Sequence, residues 1–324
     1  MDTFYEPLLE LEAFGQIREQ LKKEEGLQLI TGCVDSQKTH LMYSLGRDWP
    51  VKLILTYNEL KAKEIYEEYE ALGEDVYYYP ARDFLFFQAD IQGNELLRQR
   101  VSAVSSLLSG EKSVIITTLD GCMDPLLPLK KWRELMVTIG VGSILEMDAC
   151  GKRLVQMGYE RTGQVELPGQ FAIRGGILDI YPLTEEYPVR IELWDDEVDS
   201  IRSFDAQSQR SMENLEEITL YPAAELSPDQ QGYKGESLLD YIKEFRSLVF
   251  LDESNRLLER GKTVEKEYRQ SFENRMEKGQ IAKDQPEEII ACEVIWHKLN
   301  QMRGAALSTL EATDRRLEIH NRYR

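Results

Sequence analysis

Two hydrophobic periods alternate along the N-terminal part of the chain. Apolar residues at Phe4, Leu8 and Leu11, then Phe14, Ile17 and Leu21, recur at helical spacing and predict an amphipathic helix ending near Gly26. Short unbroken apolar runs then alternate with helical patterns: LQLITG, a helix from about Lys38, VKLILTY, the helix NELKAKEIYEEYEALG, VYYYP, the helix GNELLRQRVSAVSSLLSG, and SVIITT. Strands apolar on both faces, each followed by a helix, predict a parallel sheet covered on both sides. Ligands of such sheets gather at the carboxyl ends of the strands.

Between Pro128 and Pro222 the pattern changes. ELMVTIGVGSILEM, GQVELPGQFAIRGGILDIYP, VRIELWDDEVDSIRSFD and EITLYP read as close-spaced strands with one helix, DACGKRLVQMGY, among them. The alternation in VRIELW predicts a sheet with one wet face. Pro168-Gly169 and Gly175-Gly176 are turn or bulge signals, and a bulge that re-aims Arg174 is the expected use of the second. After Pro228 the chain turns helical and charged, with one strand, SLVFLDE, a charge-laced helix anchored by Leu257 and Leu258, and a last apolar segment, AALSTLEA. The expected organisation is an α/β domain in two pieces, 1–127 and 223–324 with a strand over 247–253, interrupted by a β-rich α+β domain over 128–222. An ending at HNRYR with no closing element leads us to expect a piece of a longer protein.

Composition narrows the function. With 324 residues, 42% hydrophobic and 30% charged, the chain can bury the cores of two or three domains. No run approaches the roughly 18 apolar residues that cross a bilayer, and the N-terminus lacks a cationic region before an apolar core, so we expect no membrane association and a cytoplasmic location. The four cysteines, Cys33, Cys122, Cys150 and Cys292, are far apart and only three histidines exist, which supports neither a metal site nor a disulfide framework. A net charge of −19 repels a phosphate backbone, so a protein partner is a better expectation than autonomous DNA binding.

Residues 29–40, LITGCVDSQKTH, raise the question of nucleotide chemistry. A phosphate-binding loop reads G-x-x-x-x-G-K-[ST] between a strand and a helix. Here Gly32, Lys38 and Thr39 fit that frame, but Gln37 stands where the second glycine belongs. Asp252 and Glu253, just past a hydrophobic strand, sit where such enzymes offer carboxylates to magnesium and to the attacking water. Together these features predict a P-loop NTPase-like (RecA-like) domain. Gln37 puts a side chain where backbone must approach phosphate, Asp35 adds a negative charge to the loop, and no second α/β half closes over a nucleotide. The loop therefore reads as a relic without catalytic residues; an active ATPase or helicase-like DNA-repair enzyme using Lys38, Thr39, Asp252 and Glu253 is the alternative.

Three segments carry a family resemblance: GQFAIRGGILDIYP, VRIELWDDEVDSIRSFDAQSQRS and ITLYPA. They resemble the N-terminal UvrB-homology module of the bacterial transcription-repair coupling factors, the Mfd family. The similarity runs from LITG through LVFLDES. UvrB shares the pattern but has an intact P-loop and an aromatic hairpin, for which the stretch ARDFLFFQADIQ leaves little room. The resemblance implies a P-loop-derived domain in two pieces around an inserted β-rich domain, without ATPase activity and without a cofactor of its own. It further implies recruitment of UvrA through the β-rich domain and an autoinhibitory contact with the C-terminal half of the parent protein. RNA polymerase, DNA, ATP and magnesium would be handled by that half, an ATP-dependent translocase.

The resemblance carries Arg161 and Arg174 over as UvrA-binding residues. The stretch 150–181 holds four cations against three acids in an otherwise acidic chain. Phe171 and Ile173 beside Arg174 offer apolar anchors around a charge, the composition of an interface hot spot. A local pairing of Arg174 with Asp179 or Glu192 is the bland alternative. Asp195 to Glu197 read as an exposed turn, and Tyr77 to Tyr79 as buried strand residues rather than a base-stacking platform.

Overall fold

The computed structural model describes residues 5–23, 26–82, 90–224, 235–280, 289–310 and 317–323. Phe4, Pro228 and most of the segment read as too short for a hairpin fall outside the described residues. In chain order, α1 (Glu12–Lys23), β1 (Leu27–Thr31), α2 (Asp35–Gly46), β2 (Val51–Thr56), α3 (Glu59–Ala71), β3 (Val76–Tyr79), α4 (Asp90–Ser109) and β4 (Ser113–Thr118) realise the predicted alternation. There follow α5 (Leu129–Leu135), β5 (Val137–Gly140), α6 (Met147–Gln156), β6 (Glu160–Arg161), β7 (Gln170–Arg174), β8 (Ile177–Ile180), β9 (Val189–Trp194), β10 (Glu197–Phe204), β11 (Ser211–Leu215) and β12 (Glu217–Leu220). The chain then adds α7 (Leu238–Lys243), β13 (Ser247–Asp252), α8 (Ser254–Glu277), α9 (Cys292–Asn300), β14 (Gly304–Ser308) and β15 (Ile319–Tyr323).

Two compact units result, residues 1–92, 109–125 and 236–324 in one, 93–108 and 126–235 in the other. The division departs from the expected boundaries at 93–108, the body of α4. Its apolar periodicity fixes a helix but not the core it joins; Arg98 Nη2 donates to the Glu185 carbonyl of the β-rich unit at 3.3 Å.

The first unit holds a seven-stranded sheet in the order β15-β1-β14-β13-β2-β4-β3, with every neighbouring pair parallel. It is a RecA-like α/β arrangement, and the strands β1, β2, β4 and β14 are buried along their whole length. On one face Phe14, Ile17 and Leu21 of α1 pack with Ile30, Ile54, Ile116, Phe250 and Leu307, each such side chain contributing about 1.5–3 kcal/mol by burial. Tyr78 and Tyr79 are buried in β3 as expected, whereas Tyr77 is only half-buried. Two strands had no clear sequence signal. β14, from the small-residue run GAALS, is a strand because it fills the gap between β1 and β13; a Cβ on Gly304 would lie 2.1 Å from the Val249 carbonyl oxygen. β15, with its polar residues, is held by pairing to β1. Among the described residues no helix is long and apolar enough to cross a membrane.

The second unit has a six-stranded sheet, β11-β10-β9-β8-β7-β6, and a separate β12-β5 pair. All its neighbours are antiparallel except β6 and β7. α5, absent from the expectation, is anchored by the buried Leu129 and Trp132. Gly175 and Gly176 are not a bulge: Arg174 and Ile177 oppose each other in register, so the two glycines close a two-residue hairpin in which Gly175 has φ +60°. Asp195, also at φ +60°, turns the β9–β10 hairpin.

Candidate functional site

β1 ends at Thr31, and Gly32 turns the chain with φ +84°, a conformation that favours glycine. α2 begins at Asp35, so Gln37, Lys38 and Thr39 lie within its first turns. Gln37 Oε1 accepts the Val34 N–H at 3.1 Å, and the Cys33 N–H donates to the Ser308 carbonyl at 3.4 Å. Two N–H groups of the kind that cradle phosphate are therefore bonded within the protein. Gln37 does more than replace a glycine, since its carboxamide closes the loop on itself.

Lys38, 2% exposed, turns its ammonium to the carboxyl ends of the strands, 2.9 Å from Asp252 Oδ1 and 2.5 Å from Glu253 Oε1. The other Asp252 oxygen accepts from Thr56 Oγ1 at 2.8 Å. Glu253 precedes α8 with φ +56°, a left-handed backbone that costs a non-glycine residue about 1–2 kcal/mol. Its carboxylate also accepts from the Thr309 N–H at 2.8 Å and hydroxyl at 2.7 Å. Asp35, exposed at the start of α2, has its carboxylate 3.8 Å from both Lys38 Nζ and Lys61 Nζ.

Burial acts against the Lys38 charge, but the hydrogen bonds and attraction of Glu253 and Asp252 outweigh it and hold its pKa above the ordinary lysine value. Burial likewise opposes the Glu253 charge, and Lys38 with Thr309 holds that carboxyl below the usual glutamate range. The structure thus joins Lys38, Asp252 and Glu253, but to one another. Thr39 is buried in α2. So arranged, the lysine and both carboxylates satisfy each other within the protein. Thr56 and Thr309 escaped the sequence reading, although both lie at or just past the carboxyl ends of sheet strands.

In the second unit the wet face of the sheet is built row by row. Register places Ala172, Asp179, Arg190, Arg202 and Asn214 across one row, and Arg174, Ile177, Glu192 and Ser200 across the next. Asp179, 1% exposed, accepts from Arg190 Nε at 2.6 Å and Nη2 at 2.9 Å, and from Arg174 Nη2 at 2.5 Å. Arg202 Nη2 reaches Glu192 Oε1 at 2.6 Å. The local partner foreseen for Arg174 is present, yet its side chain remains 49% exposed. Of the guanidinium's five N–H donors, Asp179 engages only the Nη2 end.

Phe171 and Ile173 are corrected. Side chains alternate across a strand, so these two share the face opposite Ala172 and Arg174. Phe171 is fully buried and Ile173 half-buried against α6, where a Cβ on Gly151 would come within 3.0 Å of Ile173 Cδ1 and 3.8 Å of Phe171. Neither is an exposed anchor beside Arg174. Arg161 is exposed on the short edge strand β6, in register with core-facing Phe171, and makes no ion pair among the described residues. Among the described residues no hydrogen bond or ion pair joins it to Arg174. Glu192, the other partner foreseen for Arg174, pairs with Arg202 instead, and Arg190 was missed, though the alternation of VRIELW put it on the wet face.

Residues 137–226, which hold β5 to β12, match the UvrB interaction domain. The chain is 37% identical over 230 residues to the transcription-repair-coupling factor of Bacillus subtilis (strain 168), covering 70% of this chain and 20% of that protein. It is a relative of the N-terminal module of the transcription-repair-coupling factors. The transcription-repair-coupling factor of Staphylococcus epidermidis is 38% identical over 200 residues, and that of Staphylococcus haemolyticus 37% over 202, each match covering 61% of this chain and 17% of the relative. The chain therefore spans about a fifth of the length of these transcription-repair-coupling factors.

Proposed function

We propose that this chain is a non-catalytic, UvrB-like adaptor module that recruits UvrA to stalled RNA polymerase in nucleotide excision repair. The half-exposed Arg174, held on the wet sheet face by the buried Asp179 within the matched UvrB interaction domain, carries this reading. An arginine pre-oriented by a buried carboxylate loses little freedom on binding, while its remaining donors face an incoming partner. Arg161 offers a second exposed cation on the edge strand, in register with Phe171 and outside the Arg174 row.

The first unit serves as scaffold. Its closed Lys38–Asp252–Glu253 cluster supports a module that holds no ATP or magnesium of its own, those belonging to the C-terminal motor of the parent protein. RNA polymerase and DNA are engaged by other domains of that parent, whose C-terminal half covers the UvrA-binding face at rest, and the whole works in the cytoplasm.

Calorimetric titration with UvrA of the same organism tests the proposal. Saturable binding is expected for the wild type and its loss for an Arg161→Ala/Arg174→Ala variant whose fold circular dichroism verifies. Equal binding by both proteins would remove the arginines from the interface. No binding by either would end the recruitment reading. Titration with Mg-ATP should give no heat, and micromolar binding abolished by Lys38→Ala would restore the ATPase reading.

A further inference from the structure

Four tryptophans occur in the chain, and three are buried: Trp49, Trp132 and Trp296 are 3%, 4% and 6% exposed, whereas Trp194 is 81% exposed. Trp194 ends β9, two residues beyond Glu192 and four beyond Arg190, and so projects to the same wet face. Its partner across the hairpin is Glu197, and on the other side of Glu197 stands Ile144, 74% exposed and bridged to it in antiparallel register. Directly opposed residues project together, with Cβ atoms about 4.5–5.5 Å apart. Trp194, Glu197 and Ile144 therefore form a third row, continuous with the rows that hold Arg190 and Arg174.

The charge around this row is one-sided. Asp195, Asp196 and Glu197 are exposed at the hairpin tip, and none forms an ion pair among the described residues. By contrast Arg174 and Arg190 are matched by Asp179, and Arg202 by Glu192. An indole face beside uncompensated carboxylates attracts a cation both through its quadrupole and through simple charge complementarity. The same carboxylates repel a nucleic-acid backbone. A two-fold pairing of this row with a second copy would bring like charges together.

We propose that the Trp194 row is a second contact point for UvrA, one that receives an arginine or lysine side chain of UvrA over the indole, with Ile144 excluding water beside it. The proposal rests on the adaptor reading and adds to it a contact of opposite polarity to the arginines: the Arg174 end of the face presents cations, and the Trp194 end receives one.

The test is a titration of UvrA with the full chain and with Trp194→Ala, Trp194→Phe and Asp195→Asn/Asp196→Asn/Glu197→Gln, followed by calorimetry and by acrylamide quenching of tryptophan emission. The difference between wild type and Trp194→Phe isolates the Trp194 signal. Expected are protection of that signal in the complex, affinity lower by about tenfold or more for Trp194→Ala, a smaller loss for Trp194→Phe, and a flatter salt dependence for the triple variant. Thermal unfolding of each variant should match the wild type, because the replaced side chains are exposed. Equal binding by wild type and Trp194→Ala with unprotected emission overturns the inference and leaves the adaptor reading standing. Protection that rises with protein concentration before UvrA is added means that a second copy covers Trp194, which also overturns it. Failure of the wild type to bind UvrA overturns both.

Discussion

The two units each hold an aspartate that is 1% exposed and bound to a cationic side chain, yet one cation is enclosed and the other is open to solvent. In the α/β unit the cation is buried with its acids: Lys38 is 2% exposed and every strong partner of Asp252 and Glu253 is internal. In the β-rich unit the acid is buried but Arg174 is half in solvent. Enclosing both charges turns the cluster into structure, because desolvation makes each depend on the other. Leaving the guanidinium at the surface keeps its unused donors available to a partner. What separates scaffold from interface here is the position of the cation, since the carboxylates are alike.

The largest expected effect comes from breaking the enclosed pair. Lys38→Ala strands Asp252 without its counter-charge and should lower stability by about 3–5 kcal/mol, measured by urea unfolding, while the folded fraction keeps its affinity for UvrA. Replacing both partners, as in Lys38→Met/Asp252→Leu, should cost less than the single change. Arg174→Ala should do the reverse: a loss of about 2 kcal/mol in UvrA binding and at most about 1 kcal/mol in stability, the ordinary value of an exposed pair. An unfolding loss in Arg174→Ala as large as in Lys38→Ala would break the comparison.

pH sharpens it further. The depressed Glu253 contributes stability that is present above the unfolded glutamate value of 4.5 and lost as pH falls through its folded value. The raised Lys38 contributes stability that is complete below the unfolded lysine value of 10.5 and lost as pH rises through its folded value. Stability of the α/β unit should therefore hold between these limits and decline outside them, and Lys38→Met should flatten both limbs. A wild-type alkaline limb that survives unchanged in Lys38→Met would assign that limb to other groups.

The smallest expected effect is that of Gln37→Gly. Loss of the carboxamide that caps Val34 should cost about 0.5–2 kcal/mol, the range measured for helix caps. Restoring the glycine should not restore nucleotide binding, because Lys38 remains paired with Asp252 and Glu253. A thermal shift on adding Mg-ATP to this variant would show that the glutamine alone closed the site.

Much of this molecule was legible in the chain because periodicity is local. The unbroken apolar runs of β1, β2, β4 and β13 and the helical stripes between them announced a two-sided parallel sheet, and the alternation of VRIELW announced a wet face. Applied to QFAIR, the same two-residue period would have placed Phe171 and Ile173 opposite Arg174. The sequence by itself determined the alternation of β1 to β4 with their helices, the types of residue available at each strand end and the inserted β-rich segment. Only the tertiary structure decided that GAALS is a central strand, that the body of α4 belongs with the β-rich unit, and that Lys38 meets Asp252 from 214 residues away. It also decided that Trp194, alone among the tryptophans, stays outside. The physical reason is common to all four: a strand's neighbours, a helix's core and a charge's partner are set by which distant surfaces meet, and nothing in a local hydrophobic pattern records that meeting.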